Sequence, residues 1–254
     1  MLTALTALAA GAVVGLALGA LGGGGSVLAV PALIYLLGFS PAAAATASLL
    51  IVLGTAATAL YGHARDGQVR WRTGAVFAAA GLVPAALGGL LSAQLPDWLL
   101  TLGFAVVAGF AAIRMVRRAA PEGAHPAGEQ AVRRSGTAVA GAGAGLGAVT
   151  GVLGVGGGFL TVPALVQVVG LRMRPAVGTS LLVVAVNALV ALLARSGSPV
   201  PVDWAVVAPF AGAAILAAWD GRRLASRIPA DALRRAFGVV LLVVAALMLV
   251  DLAV

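Results

Sequence analysis

The sequence predicts an all-α polytopic membrane protein: two inverted repeats of about five hydrophobic helical segments each, with short broken or re-entrant helices inside them. Three observations predict it. The chain is 61% hydrophobic and 9% charged, with a mean hydropathy of +1.09, whereas a soluble domain carries about 25% charged residues to solvate its surface. Its uncharged runs are long, since Met1 to Gly62 contains no Arg, Lys, Asp or Glu. A run of about 20 apolar helical residues crosses a hydrocarbon core of about 30 Å. The third observation is a block at residues 22–33 that recurs 132 positions later. Backbone in lipid must be hydrogen-bonded internally, which leaves helices or a closed barrel. The alternating pattern of barrel strands is missing, so the segments are helices.

The elements follow in order. Run 2–21 has no Arg or Lys before it, so it reads as a span and not as a cleaved signal. It carries Gly11, Gly15 and Gly19 at helical spacing, the small-residue face on which membrane helices pack closely. Run 26–38 follows the cluster Gly22–Gly25 and holds Pro31. Runs 42–61, 74–95 and 98–116 complete the first group. The second group is 136–153, 158–170, 176–194, 204–220 and 233–252, with Gly143, Gly147 and Gly151 in its first member. The stretch Arg117 to Ser135 is rich in charge, Pro and Gly and reads as a linker. The chain thus divides into a first repeat 1–117, a linker 118–135 and a second repeat 136–254.

Arginine placement orients the chain, because cytoplasmic loops collect basic residues. If the regions around residues 65–72, 114–134, 172–174 and 222–235 are cytoplasmic, 15 of the 16 arginines are inside and only Arg195 is outside. Asp97, Asp203 and Asp251 then lie outside, as do both termini, in a multi-pass protein of the cell inner membrane. The +8 charge becomes an inner-surface feature with affinity for anionic lipid and requires no nucleic acid. Trp71, Trp98, Trp204 and Trp219 fall near span ends, as an aromatic belt does.

The repeat is specific in its details. Gly22, Gly24, Gly25, Leu28, Val30, Pro31, Ala32 and Leu33 fall over Gly154, Gly156, Gly157, Leu160, Val162, Pro163, Ala164 and Leu165. Ser48 falls over Ser180 and, one residue of slippage later, Pro96 over Pro229 and Phe104 over Phe237. Runs 26–38 and 158–170 have 13 residues each, which as helices reach about 20 Å and do not span. Matching glycine-interrupted short segments point to the binding site of a secondary transporter. The free N–H groups and dipole of each helix start amount to about half a positive charge, a seat for an anion. The candidate anion-binding residues are therefore Gly24, Gly25, Ser26, Gly156, Gly157 and Gly158. The competing reading makes each cluster a tight interhelical turn at the membrane surface.

Polar residues inside the spans are few. Thr46, Ser48 and Thr55 lie in the third run, and Thr179, Ser180 and Asn187 in its counterpart. Ser48 and Thr55, like Ser180 and Asn187, are seven apart and share a helix face. Their donors can complete an anion's coordination, or the hydroxyls can bond their own helix carbonyls. Asn187 carries an amide, which in hydrocarbon requires a partner. With no Cys, two His and no cluster of buried carboxylates, no catalytic residues, metal site or cofactor are expected and the chain does not read as an enzyme. His63 reads as interfacial, and Asp220 as pairing locally with Arg222 and Arg223.

Both glycine blocks end in Val-Pro-Ala-Leu and are followed by Ala45-Thr-Ala-Ser-Leu49 and Val177-Gly-Thr-Ser-Leu-Leu182. In this the sequence resembles the TauE/SafE family of sulfite and organosulfonate exporters, over about residues 8–250. The resemblance implies an inner-membrane permease for sulfite, sulfoacetate or a related sulfur oxyanion, with a homo-oligomer compatible. The alternatives are a passive anion channel or a permease for another small organic anion. One departure stands out: Trp219-Asp220-Gly221 replaces the Ala86-Leu87-Gly88 of the first half.

Overall fold

A computed structural model describes residues 2–22, 29–30, 32–92, 96–117, 136–152, 158–195 and 203–253. Every regular element among the described residues is helical. The order is α1 (Leu2–Leu21), a π-helical turn Ala32–Leu36, α2 (Pro41–Arg65), α3 (Trp71–Ser92) and α4 (Asp97–Arg117). Then come α5 (Gly136–Val152), α6 (Gly158–Gln167), α7 (Met173–Arg195), α8 (Trp204–Arg227) and α9 (Ala230–Ala253). The fold is that of an all-α membrane protein. Three helical stretches, Ala43–Arg65, Met173–Leu193 and Trp204–Ala225, are by themselves long and apolar enough to cross a membrane among the described residues.

Helix ends agree with the hydrophobic runs to within a few residues, with two exceptions. Run 26–38 is not one α-helix. Ala29 and Val30 are helical, and the turn after Pro31 is π-helical. A proline removes an amide donor and crowds the preceding turn, and a π turn absorbs the resulting mismatch by widening the coil. The second exception is α8, which runs past Asp220 as far as Arg227. Ala, Leu and Arg favour helix strongly enough to carry it beyond the apolar run, and basic residues suit a helix C-terminus. Asp220, Arg222 and Arg223 therefore stand on a helix and not in a loop.

Both short segments close with one device. The Phe39 amide donates to the Leu33 carbonyl at 3.1 Å around Gly38, whose φ is +70°, and the Leu171 amide donates to the Leu165 carbonyl at 2.9 Å around Gly170, φ +83°. These are helix-terminating bonds across a left-handed glycine, and they stand 132 residues apart in the chain. At 10 residues, α6 reaches about 15 Å, half of a hydrocarbon core.

The principal helix pairs all cross between the halves: α1 with α8, α3 with α5, α4 with α9 and α2 with α7. Glycines set the first two. A Cβ on Gly11, Gly15 or Gly19 would stand 2.3, 2.1 and 2.1 Å from the carbonyl oxygens of Phe210, Ala214 and Ala218. One on Gly143 or Gly147 would stand 2.3 and 2.2 Å from those of Phe77 and Gly81. The second contact is the first, displaced by 132 residues on the glycine helix and 133 on its partner. Rising numbers on both members mean that α1 runs parallel to α8, and α5 to α3. The α2 C-terminus meets the α7 N-terminus, with Gly178 against the Gln68 carbonyl and the His63 side chain, so those two run antiparallel. The bundle exterior is apolar, with Val106, Phe110, Leu216, Val239, Val243 and Leu247 each more than half exposed, as lipid contact requires.

Two substitutions separate contact glycines from idle ones. Gly15→Ala and Gly147→Ala push a methyl group into a backbone carbonyl, and each is expected to destabilise the folded protein by about 1–3 kcal/mol or more. Gly141 and Gly145 on α5 have nothing within 4 Å of an added Cβ, so Gly141→Ala and Gly145→Ala should be neutral or stabilise by up to about 1 kcal/mol. Thermal unfolding in one detergent reads all four.

Candidate functional site

Gly24, Gly25, Ser26, Gly156 and Gly157 lie outside the described residues, but their neighbours are within them. Gly22 closes α1 in a left-handed conformation, φ +71°, and is buried. A Cβ on it would stand 2.5 Å from the Ser180 hydroxyl and 3.1 Å from the Val177 carbonyl oxygen. Only glycine tolerates both the backbone and the closeness. The first glycine cluster thus begins pressed against α7 of the other half. Gly158 starts α6 and is itself buried, with Leu160, Thr161 and Val162 buried behind it. Each cluster adjoins backbone enclosed by protein.

The polar faces separate into different roles. Ser48 donates to the Ala45 carbonyl at 2.9 Å, Thr55 to those of Ile51 and Val52 at 2.6 and 3.1 Å, and Ser180 to that of Val177 at 2.7 Å. These hydroxyls turn back on their own helices, as serine and threonine do in membranes. Thr46, two residues before Ser48, is half-buried. Thr179 is fully buried and accepts a hydrogen bond from the Arg70 amide at 3.0 Å, which fastens the α2–α3 loop to α7.

Asn187 stands apart from its counterpart Thr55. It borders a cavity of about 20 Å³ with Thr150 and Thr161, between α3, α5, α6 and α7. That is room for about one water with polar partners. Around Thr55 the equivalent positions are Leu18, Ala29 and Ile51, all fully buried in apolar packing. One half has a small polar-lined cavity where the other is filled with apolar side chains.

A second cavity, of about 290 Å³, opens at the arginine-bearing end. Its lining includes His63 and Asp66 from the end of α2, Arg174 and Val177 from the start of α7, and Arg222 from α8. Arg222 is paired with Asp66, the side chains 14% and 43% exposed, so the pair ties the first half to the second. The Arg222 guanidinium also lies over the Trp219 ring at 4.8 Å, and Trp219 stacks on Tyr61 at 6.3 Å. Gly62 makes room for it, since a Cβ there would stand 2.4 Å from Arg222 Cδ and Nε. His63 is buried, with Nε2 3.4 Å from the Gly19 carbonyl oxygen. Asp220 pairs with Arg223 at 3.7 Å on the exposed side of the helix. Sequence reasoning treats Arg222 as one of a loop group. The signal that identifies it is helical spacing: Trp219 and Arg222 are three apart on a face that returns to the bundle.

The family described as Sulfite exporter TauE/SafE matches residues 7–248 of this chain. Two proteins named "Probable membrane transporter protein" are similar to it nearly end to end. The one from Xylella fastidiosa (strain 9a5c) is 34% identical over 244 residues, 95% of this chain and 93% of the relative. The one from Xylella fastidiosa (strain Temecula1 / ATCC 700964) is 34% identical over 246 residues, with the same coverage.

The contact between Gly22 and Ser180 is open to a double-mutant cycle. Gly22→Ala carries the cost of a left-handed alanine plus a clash, about 2–4 kcal/mol together. Adding Ser180→Ala removes the clashing oxygen and should return about 1 kcal/mol of that loss. SDS-unfolding free energies of the four proteins give the coupling, and strict additivity would separate the two residues.

Proposed function

The chain belongs to the sulfite exporter TauE/SafE family and is a membrane transporter, and we propose that its cargo is a small sulfur oxyanion, sulfite or an organosulfonate such as sulfoacetate, moved outward across a bacterial inner membrane. The observation that supports this most directly is the burial of both cluster edges, Gly22 against Ser180 and Gly158 at the α6 start. A helix that begins inside the bundle directs free amides and the positive end of its dipole at whatever lies before it. Gly158 is one such start; a second, ahead of the helical residues Ala29 and Val30, would bring the total to about one positive charge without a buried cation, commensurate with a small oxyanion.

In this reading the amides of Gly24, Gly25, Ser26, Gly156, Gly157 and Gly158 hold the anion. Ser48, Ser180, Thr46, Thr179, Thr55 and Asn187 are the side chains proposed beside the seat; Asn187 borders a small cavity, whereas Ser48, Thr55 and Ser180 would have to release their own helix carbonyls to join it. The helix directions support two halves of opposite topology, α1, α2 and α8 running against α3, α5 and α7. Rocking of one half against the other then alternates access to the seat. Arginine placement supports a cytoplasmic linker and external termini. A substrate or proton gradient drives the movement.

Reconstitution tests it. Proteoliposomes containing the protein should accumulate or release sulfite or sulfoacetate faster than empty ones. Gly25→Leu and Gly157→Leu should each lower the flux about tenfold, the equivalent of about 1.4 kcal/mol of lost binding. Undiminished flux in both variants would remove the proposed seat. Absence of flux for both anions in the unaltered protein would remove the cargo.

A further inference from the structure

The cavity at the arginine-bearing end is unlike the rest of the bundle in its charge. Two arginines, Arg174 and Arg222, line it together with one carboxylate, that of Asp66; Arg222 pairs with Asp66, and Arg174 donates to the Ile228 carbonyl at 3.5 Å. The cavity deepens inward, from Asp66 and Arg174 at the exposed mouth to the buried His63 and Val177. The floor at Val177 is the surface against which Gly22 packs, its α carbon and carbonyl oxygen 3.3 and 3.1 Å from the position of a Gly22 Cβ. Val177 thus stands between the cavity and the end of α1. Its volume is at the lower end of ligand pockets, about 300–1,000 Å³, and ample for a small oxyanion.

Arg222 is under-used where it stands. A guanidinium offers five N–H donors. Nη1 of Arg222 engages Asp66, while Nε is buried with no hydrogen-bond partner. The side chain is seated in the notch left by Gly62 and backed by Trp219, so it is held in place more by packing than by its single acceptor. With Nε buried in the notch, the Nη1–Nη2 edge is what could take an oxyanion in bidentate geometry once Asp66 leaves it. The arrangement is also one-sided. At the positions equivalent to Asp66, Arg174 and Arg222 in the other half, the sequence has Ser198, Ala42 and Gly89.

We propose that this cavity is an anion vestibule in which Arg222 exchanges its bond to Asp66 for one to an entering oxyanion, so that Asp66 competes with the substrate and closes the mouth in its absence. The meaning of this for transport rests on the anion-carrier reading above, while the binding event does not. Because Asp66 belongs to the first half and Arg222 to the second, the exchange also unties the halves at that end.

Trp219, under the Arg222 guanidinium, is a built-in reporter. Titrating sodium sulfite into the full-length protein in lipid-free micelles should give a saturable change in tryptophan fluorescence that disappears in Trp219→Phe. Arg222→Gln should weaken binding about tenfold or more, the scale of one charge-assisted contact. Asp66→Asn should tighten it about threefold or more, because the internal competitor is gone. A purely structural ion pair gives the opposite pattern: both variants lose thermal stability and neither changes sulfite affinity, and that result overturns the proposal. Where Arg222→Gln does not fold, the direction of the Asp66→Asn shift decides alone. A second arm adds phosphatidylglycerol to the micelles. If the lipid produces the Trp219 response and sulfite does not, the cavity seats a lipid headgroup and the proposal is lost. Sulfite binding that tightens in Asp66→Asn, with no flux in liposomes, leaves the vestibule standing and removes the carrier reading. Flux with no Arg222-dependent binding does the reverse.

Discussion

The backbone-to-backbone contact of α1 with α8, and of α5 with α3, is the constraint on which the remaining geometry depends. In lipid there is no hydrophobic drive to bring helices together, so association comes from close van der Waals packing. Each helix pair gains it by removing side chains at Gly11, Gly15 and Gly19, or at Gly143 and Gly147, until carbonyls of the partner occupy the space of a Cβ. Since the partner belongs to the other half each time, neither half can pack its first helix alone. The same contact fixes the end of α1. Gly221 on α8 continues it for another turn against Leu16 and Ala20, which sets Gly19 beside His63, Gly22 beside Ser180, and Arg222 immediately after the last point of contact.

Much of this is written in the sequence, and the reason is periodicity. Apolar runs in a membrane protein are long and bounded by charge, so nearly every helix end falls where hydropathy changes. The glycine spacing announces a packing face, and the duplicated block announces where helices break. What the spacing does not contain is the partner. Gly15 meets Ala214 and Gly147 meets Gly81, and those pairings are tertiary facts. The arginine cavity is illegible for a related reason. Its lining comes from the end of α2, the start of α7 and the end of α8, more than 150 residues apart at the Asp66–Arg222 pair, and hydropathy marks all three as inner-face loops. Arg222 is misread because helix propensity outlasts hydrophobicity at the end of α8. The hydroxyls of Ser48, Thr55 and Ser180 could equally face an anion or their own helices, and the sequence holds nothing to choose between them.

The two halves share a frame but not its chemistry. The crossing of α3, α5, α6 and α7 contains Thr150, Thr161 and Asn187 around a small cavity, where the equivalent crossing contains Leu18, Ala29 and Thr55 in dry packing. In the sequence, the positions equivalent to Arg174, Asp66 and Arg222 hold Ala42, Ser198 and Gly89. A duplicated bundle with identical halves would present the same surface to an anion from either side. On the carrier proposal, divergence at these few positions, with the helix contacts retained, is where the two directions would come to differ in energy.

A gradation in field strength follows from where charge is tolerable. A full charge at the centre of a bilayer costs about 2.5–3.5 kcal/mol by insertion scales, so guanidiniums belong at the mouth and neutral dipoles further in. Backbone amides at helix starts attract an anion without any formal charge. On the anion-carrier proposal, the cargo would pass from formal charges to oriented dipoles. The danger in that sequence is a mouth that holds too well, for two unopposed arginines would trap a small oxyanion where it enters. Asp66 removes that danger. In the proposed exchange it lowers the net charge of the mouth to about one and would replace the departing anion on Arg222, so that the step inward would exchange one ionic partner for another and not leave a partly buried guanidinium bare.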